Sequence, residues 1–536
     1  MAQFTIFEAA DVSTLGKPSV MMNMNSIRDW HQPRFIDWMK QARGFTLPSD
    51  GGAGLADTYM TDGVVTSLPG GETQYDIYIR TYADDLGGTD ATVAITWDGT
   101  GTVTSSGLQN VVTGSNSITG DYSYANGVTL SLHVTPNFSD PPRNFKCIDT
   151  RYQTEYDAGQ IFNPDVISQI NWCAGPRLMD WGDTNNNPTT WAQRNLKTHQ
   201  IWNRLRDDGK YAGLPLQVQC DYVAALGSEV AWFNIPAEYS DADITAWATE
   251  LKTYLPAGVI AIVELSNEPW NNQFDQDNYF AAQAVAEGWP GLTTGYENYA
   301  YIEWHAKRST EMVALVKADF GAVQSRLRFA LNVWTAFASN IILALDAPTW
   351  EANDPGNYVA PSSVHDFMAI TCYLTATVGS SEASTIMTAL GTSQSAGAAA
   401  VIDNLTAKYN STIKNYLTTA IGYAKQRGMR SIIYEANNHA PLADWSATSL
   451  YSGGSPAAGV FAMWQEAIEG SGMAALLDQA RDDFRAAGGT YWNQFADFGA
   501  MEESYPWGIY PWVGRTTATG DAVEAWNTAN PRNFFR

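Results

Sequence analysis

Two hydrophobic patterns divide the chain. From residue 51 to about 155, stretches such as "YDIYIRTYA", "ATVAITWDG", "TGTVTSSG" and "NSITGDYSYANGVTLSLHVTP" alternate apolar and polar residues. Gly, Asn and Asp break them at short intervals. Period two, with turn residues between, predicts short antiparallel strands. On either side the texture changes to continuous apolar runs, each followed by a stretch of helical period: "AGPRLMDW", "VAWFNIP", "GVIAIVELSNEPW", "RLRFALNVW", "DFMAITCYL", "RSIIYEANNH" and "QFADFGAM". Continuous apolar runs are expected of parallel strands covered on both faces.

With the run at 19–25 these make eight strands. Helices are expected between them. "SDADITAWATELKTYL" opens on a capping Ser, and "ENYAYIEWHAKRSTEMVALVKADFG" keeps a helical period up to a Gly. "PRFIDWMKQARGF" also reads as a helix, and "GTSQSAGAAA" (391–400) as a small-residue loop. Eight β-α alternations predict an α/β fold, a (β/α)8 TIM barrel. An antiparallel β-sandwich-like domain is inserted between barrel strands one and two. The expected division is 1–50 for the first strand and helix, 51–158 for the insert and 159–536 for the rest of the barrel.

Composition narrows the partners. The chain has 536 residues and a net charge of −25, which repels phosphate backbones and anionic lipids. Nucleic acid and membrane surfaces are therefore not expected partners. No run is long and apolar enough to span a bilayer. The 20 Trp, 26 Tyr and 20 Phe are a heavy aromatic load, suited to stacking on sugar faces as well as to packing a core. Cys147, Cys173, Cys220 and Cys372 match no CxxC spacing and read as buried thiols; the last three sit in or beside strand-like runs. The opening "MAQFTIFEAADVS" lacks the features of a secretion signal. "FDQDNYF" and "GDTNNN" lack calcium-loop spacing, so no metal and no cofactor is expected.

Barrel active sites lie at the C-terminal ends of the strands. Strand four ends in Asn267 and Glu268; strand seven carries Glu435, with His439 just beyond. Two carboxylates facing each other across a barrel mouth suit a retaining glycosidase, where they stand about 5 Å apart.

On these residues, and on "NMNSIRDW", "PRLMDWGDTNNNPTTWAQR", "AWFNIP", "VELSNEPWN", "HAKRSTEM" and "YEANNH", the chain resembles clan A retaining glycoside hydrolases, the cellulase-like barrels of families five and thirty-nine. Within the clan it is most similar to bacterial cellulase-like proteins with a β-domain inserted in the barrel. The resemblance implies Glu268 as general acid/base and Glu435 as nucleophile. It implies Asn267 on the sugar 2-hydroxyl, Tyr373 donating to the nucleophile and Arg177 beside it, with an Arg177–Asp180 ion pair as the competing arrangement. Asn23, Asp29, Trp30, Thr184 and Asn185 are expected along the sugar groove, His439 at the mouth, and Trp507 (with Trp512 as rival) under the cleaved sugar. The chain departs from that group in Ala436, Asn437 and Asn438, where relatives carry Gly-Gly or Gly-Gln, and in Pro269. The expected partner is a polysaccharide or oligosaccharide, met outside the cell or on a virion by a monomeric, endo-acting enzyme. An exopolysaccharide depolymerase, an arabinofuranosidase-like activity and a glycan-binding barrel without turnover remain open.

Overall fold

The computed structural model describes residues 19–49, 54–81, 90–185, 187, 190–206, 208–289, 300–376, 378–499 and 501–530. Eight parallel strands close into a barrel in chain order. They are β1 (Val20–Asn23), β2 (Pro176–Arg177), β3 (Val230–Ile235), β4 (Ile260–Leu265), β5 (Leu327–Asn332), β6 (Phe367–Thr375), β7 (Arg430–His439) and β8 (Trp492–Gln494). Closure is made where Val20 of β1 pairs with Trp492 of β8. All six residues of β3 and all six of β5 are buried, as parallel strands covered by helices must be.

The helices form for local reasons. In Asp241–Tyr254 the Ser240 hydroxyl accepts from the Asp243 amide while the Asp243 carboxylate accepts from the Ser240 amide, satisfying two orphan donors. Ile244, Trp247, Ala248 and Leu251, at helical spacing, form its buried face. Ala300–Phe320 stops before Gly321, whose φ of +53° is cheap only for glycine.

Between β1 and β2 lie two four-stranded antiparallel sheets. One runs in the order Phe45–Thr46, Tyr75–Arg80, Leu130–Pro136, Gly101–Ser106; the other Arg143–Asp149, Ala91–Asp98, Ser117–Tyr122, Gln109–Gly114. The alternating residues Ile77, Ile79, Leu132, Val134, Val93 and Ile95 fill a core separate from that of the barrel. The fold is thus a (β/α)8 barrel with inserted antiparallel sheets.

Three local expectations are corrected. Residues 33–45 form one 3-10 turn, Trp38–Gln41, rather than a helix. This segment is held on both sides by long-range partners: Phe35 bridges Phe162, Asp37 bridges Ile148, and the Arg34 guanidinium pairs with Asp497, both side chains fully buried. Tertiary contacts there override helical propensity. Cys220 lies in a helix, Leu216–Ala225, not near a strand; all four cysteines are buried and free. The small residues at 391–400 are mostly helical, beginning the helix Gln394–Lys408, which Ser393 caps by accepting from the Ala396 amide. Alanine is the strongest helix former, and the loop expectation underweighted it. The opening stretch read for an export signal lies outside the described residues.

Candidate active site

The barrel mouth is organised around one arginine. Arg177 ends β2 with no solvent exposure, its guanidinium 5.2 Å from the ring centroids of both Trp232 and Tyr434. One terminal nitrogen donates to Glu435 Oε1 at 2.7 Å and to Asn23 Oδ1 at 3.1 Å. The other donates to Glu264 Oε2 at 3.0 Å and to Asn267 Oδ1 at 2.9 Å. The expected competitor, a pair with Asp180, does not form: both terminal nitrogens are committed elsewhere.

Glu264 is the residue that sequence reading missed. It sits inside β4 with no solvent exposure and accepts from Trp232 Nε1 at 2.9 Å, Asn234 Nδ2 at 2.7 Å and Asn332 Nδ2 at 2.5 Å. These donors come from β3 and β5, the neighbours of β4. The signal was present: a carboxylate inside the apolar run "IAIVEL" must find a cation or several donors, or it would not be buried. Tyr434 and Asn271 were also passed over.

The two candidate carboxyls are held differently. Glu435, 5% exposed, takes charged and neutral donors: Arg177, and the Tyr373 hydroxyl on Oε2 at 2.7 Å. Glu268 takes neutral donors, the Tyr434 hydroxyl at 2.9 Å and Asn271 Nδ2 at 2.8 Å. Its backbone, at φ +42°, and that of Ser266, at φ +62°, are both left-handed, an uncommon conformation for residues with a Cβ. The strand end is bent to turn the Glu268 side chain toward its hydroxyl partner on β7.

Burial raises both carboxyls above the usual range. For Glu435 burial comes first, opposed by Arg177, reinforced by the charge of Glu268 and opposed again by Tyr373; the outcome is a pKa pushed up to about 8. Two interacting carboxyls titrate as a pair, and raised together they hold one proton between them. Which one carries that proton follows from contacts. The negative charge belongs on Glu435, which touches a guanidinium, and the proton on Glu268, which does not.

The remaining predicted residues fall into three groups. Asn23 and Asn267, each 1% exposed, anchor the arginine hub; Asn23 Nδ2 also donates to the Tyr434 carbonyl at 2.9 Å. Asn185 supports Asn267, accepting from Gln276 Nε2 at 2.6 Å, and the Thr184 hydroxyl donates to the Met179 carbonyl at 3.0 Å, pinning the loop. Trp30, His439 and Trp507 reach the mouth. His439 stacks on Trp507 with centroids 5.7 Å apart and lies 5.3 Å from the Tyr373 ring. Trp30 and Trp507 line a cleft of about 410 Å³, and Trp512 is not among its lining residues. Asp29 corrects its expectation as a groove residue: it is fully buried, bonded to Arg43 and the Thr81 hydroxyl, and faces the inserted sheets.

Asn437 and Asn438, the departures from the group pattern, do not intrude on the mouth. Asn437 Nδ2 donates to the carbonyls of Phe495 and, at 2.6 Å, Trp507; Asn438 Nδ2 donates to Pro506 O at 2.8 Å. They fasten the loop that carries Trp507 to β7.

No protein-family model and no curated protein matches the chain. Solved structures match remotely. An α-L-arabinofuranosidase from Thermotoga maritima is 12% identical over 68% of this chain and 63% of its own, with a TM-score of 0.33. An endo-β-1,4-mannanase from Cellulomonas fimi is 14% identical over 58% and 57%, at 0.29. A 4-O-α-L-rhamnosyl-β-D-glucuronidase from Fusarium oxysporum is 12% identical over 59% and 52%, at 0.28. The chain thus spans between half and two thirds of these glycosidases. Likenesses this remote carry nothing about chemistry, and the barrel rests on its own strand order.

Proposed function

We propose that the protein is a retaining glycoside hydrolase that cleaves β-glycosidic bonds within a polysaccharide. The observation that carries this reading is the asymmetry of the carboxyl pair: Glu435 on a guanidinium and a tyrosine hydroxyl, Glu268 on neutral donors alone. An ionised carboxylate attacks the anomeric carbon while a protonated one delivers its proton to the departing oxygen. Glu268, then ionised, takes a proton from water, which attacks the glycosyl-enzyme ester and frees Glu435. The sugar leaves with its original configuration. As the bond breaks, Glu435 loses negative charge to the ester and Arg177 keeps Glu264 as its counter-charge, so the hub stays balanced through both steps.

Aromatic surfaces flank the mouth on two sides. Trp30, Trp507 and Tyr505 lie toward β1 and β8, and Trp334 and Phe337, with ring centroids 4.1 Å apart, follow β5 across the barrel. Sugar-stacking surfaces on opposite sides favour a chain laid across the mouth, hence endo action.

The test is reducing-end release from a panel of neutral and acidic polysaccharides by wild type, Glu435→Gln and Glu268→Gln. Release by wild type and loss in both variants is expected. Equal release by all three would remove the pair from the reaction, and silence of the wild type on the whole panel would favour a glycan-binding barrel.

A further inference from the structure

The cleft beside the carboxyl pair holds a carboxylate that the proposed reaction does not use. Its aromatic walls are Trp30, Phe495, Tyr505 and Trp507, and Arg28 and Asp180 are among its charged lining. It adjoins the reaction centre, because Phe495 packs edge-on against Tyr373, the ring whose hydroxyl holds Glu435. Asp180 itself raises the Glu435 pKa by its charge, so the two carboxyls sense each other.

The hydrogen-bonding state of this cleft is incomplete in a particular way. Among the described residues no donor reaches the Asp180 carboxylate. Arg177, three residues earlier, has both terminal nitrogens engaged by Glu264, Glu435, Asn23 and Asn267. Arg28 is committed to Asp183 at 3.1 Å and to the face of Tyr211, 3.8 Å from its centroid. Burial, ahead of the pull of Arg177 and Arg28 and the push of Asp183 and Asp497, lifts the Asp180 carboxyl to about 6. The Asp180 side chain is half-buried, so its oxygens face the cleft as acceptors that no donor among the described residues occupies. A sugar hydroxyl can donate to them, and the aromatic walls suit the apolar face of its ring.

Resting on the glycosidase reading, we propose that Asp180 selects the sugar unit next to the cleaved one, accepting hydrogen bonds from a donor-rich neutral or amino sugar and turning away a uronic acid. A second carboxylate brought into this cleft would meet Asp180, with Arg28 already balanced by Asp183. Asp180 takes no part in bond breaking. Its contribution is to affinity and to choice among chains.

The test uses 4-nitrophenyl β-glycosides of glucose, mannose, galactose and glucuronic acid, each as the single sugar and as the β-1,4-linked disaccharide, with wild type, Asp180→Asn and Asp180→Ala. A hydrogen bond to a charged acceptor corresponds to roughly 10- to 100-fold in kcat/KM. Both variants are expected to lose at least that much more on the preferred neutral disaccharide than on the matching single-sugar glycoside, mainly through KM. Asp180→Asn is expected to narrow the gap between the neutral and glucuronic disaccharides. Equal losses on both lengths would mean that Asp180 acts through Glu435, and no loss on either would leave it without a role; each overturns the proposal. If wild type turns over none of the probes, the glycosidase reading itself fails, a result distinct from either.

Discussion

Arg177 and Glu264 form an ion pair of 3.0 Å in which neither side chain has any solvent exposure. Burying two charges is costly unless each is further hydrogen-bonded, and here both are: Glu264 by three neutral donors, Arg177 by two asparagines and a second carboxylate. The pair fixes the guanidinium from below, so that its other edge meets Glu435 in one geometry.

Removing one partner should therefore do more than loosen the site. Glu264→Leu leaves one edge of a buried guanidinium without its counter-charge and the Trp232, Asn234 and Asn332 donors unmatched, with an expected loss of about 3–5 kcal/mol. Arg177→Lys keeps the charge but not the fork, and should lower kcat at least ~10-fold with a smaller loss of stability. Denaturant melts beside steady-state rates check both. Equal stability of Glu264→Leu and wild type would contradict the hub.

The two carboxyls should separate by leaving group. Glu268→Ala should lose about 10²–10⁴-fold on a glycoside with a poor leaving group, where its proton is needed. It should lose far less in the first step on a dinitrophenyl glycoside, which departs unaided, and added azide should accelerate the second step. Glu435→Ala should be slow on both. Product analysis by NMR reads the anomeric outcome.

The pH profile carries a sign. The active state holds one proton on the pair, on Glu268, whose pKa burial raises, so kcat/KM should fall as pH rises through that raised value. Stability shifts in the same direction. A carboxyl raised on folding binds its proton more tightly in the native chain, so its favourable contribution is present below the ordinary value of 4.5 and fades as pH rises. Glu268→Gln, which cannot ionise, should gain Tm relative to wild type as pH rises above the ordinary value of 4.5, until the raised native value is passed. A constant Tm difference across that range would argue against a buried, raised carboxyl.

Asn437 and Asn438 should govern the tryptophan loop. Asn437→Gly removes the tie to Phe495 and Trp507, and Asn438→Gly the tie to Pro506. The double variant should raise KM several-fold with a modest change in kcat, and indole fluorescence should report a wetter Trp507. Unchanged KM would show that the loop is held by its own packing.

Much of this was readable in the residues, and what was not has physical reasons. Strand ends are marked by apolar runs stopping at polar pairs, so Asn267, Glu268 and Glu435 could be named from pattern alone. Arg177 and Tyr373 needed a resemblance, because an arginine or tyrosine after an apolar run has many uses. Glu264 is harder to single out because it lies inside an apolar strand, where the pattern marks packing rather than chemistry. Asp29 misled because its neighbour Trp30 lines the cleft, whereas Asp29 is engaged beneath it by Arg43, whose guanidinium also lies 5.5 Å from the Trp30 ring centroid. Residues 33–45 misled because propensity does not record that Arg34 meets Asp497, 463 positions away.

The closure of the barrel sets a condition on how the chain is made. Val20 pairs with Trp492, so the first strand leaves the ribosome on the order of a minute before its last neighbour exists. Over that interval its apolar edge has no permanent cover from β8. The inserted sheets emerge directly after it, have a core of their own, and reach back to Arg43 and Asp29 near the strand. With a core separate from that of the barrel, the insert can complete its own folding before synthesis delivers the strand that seals the ring.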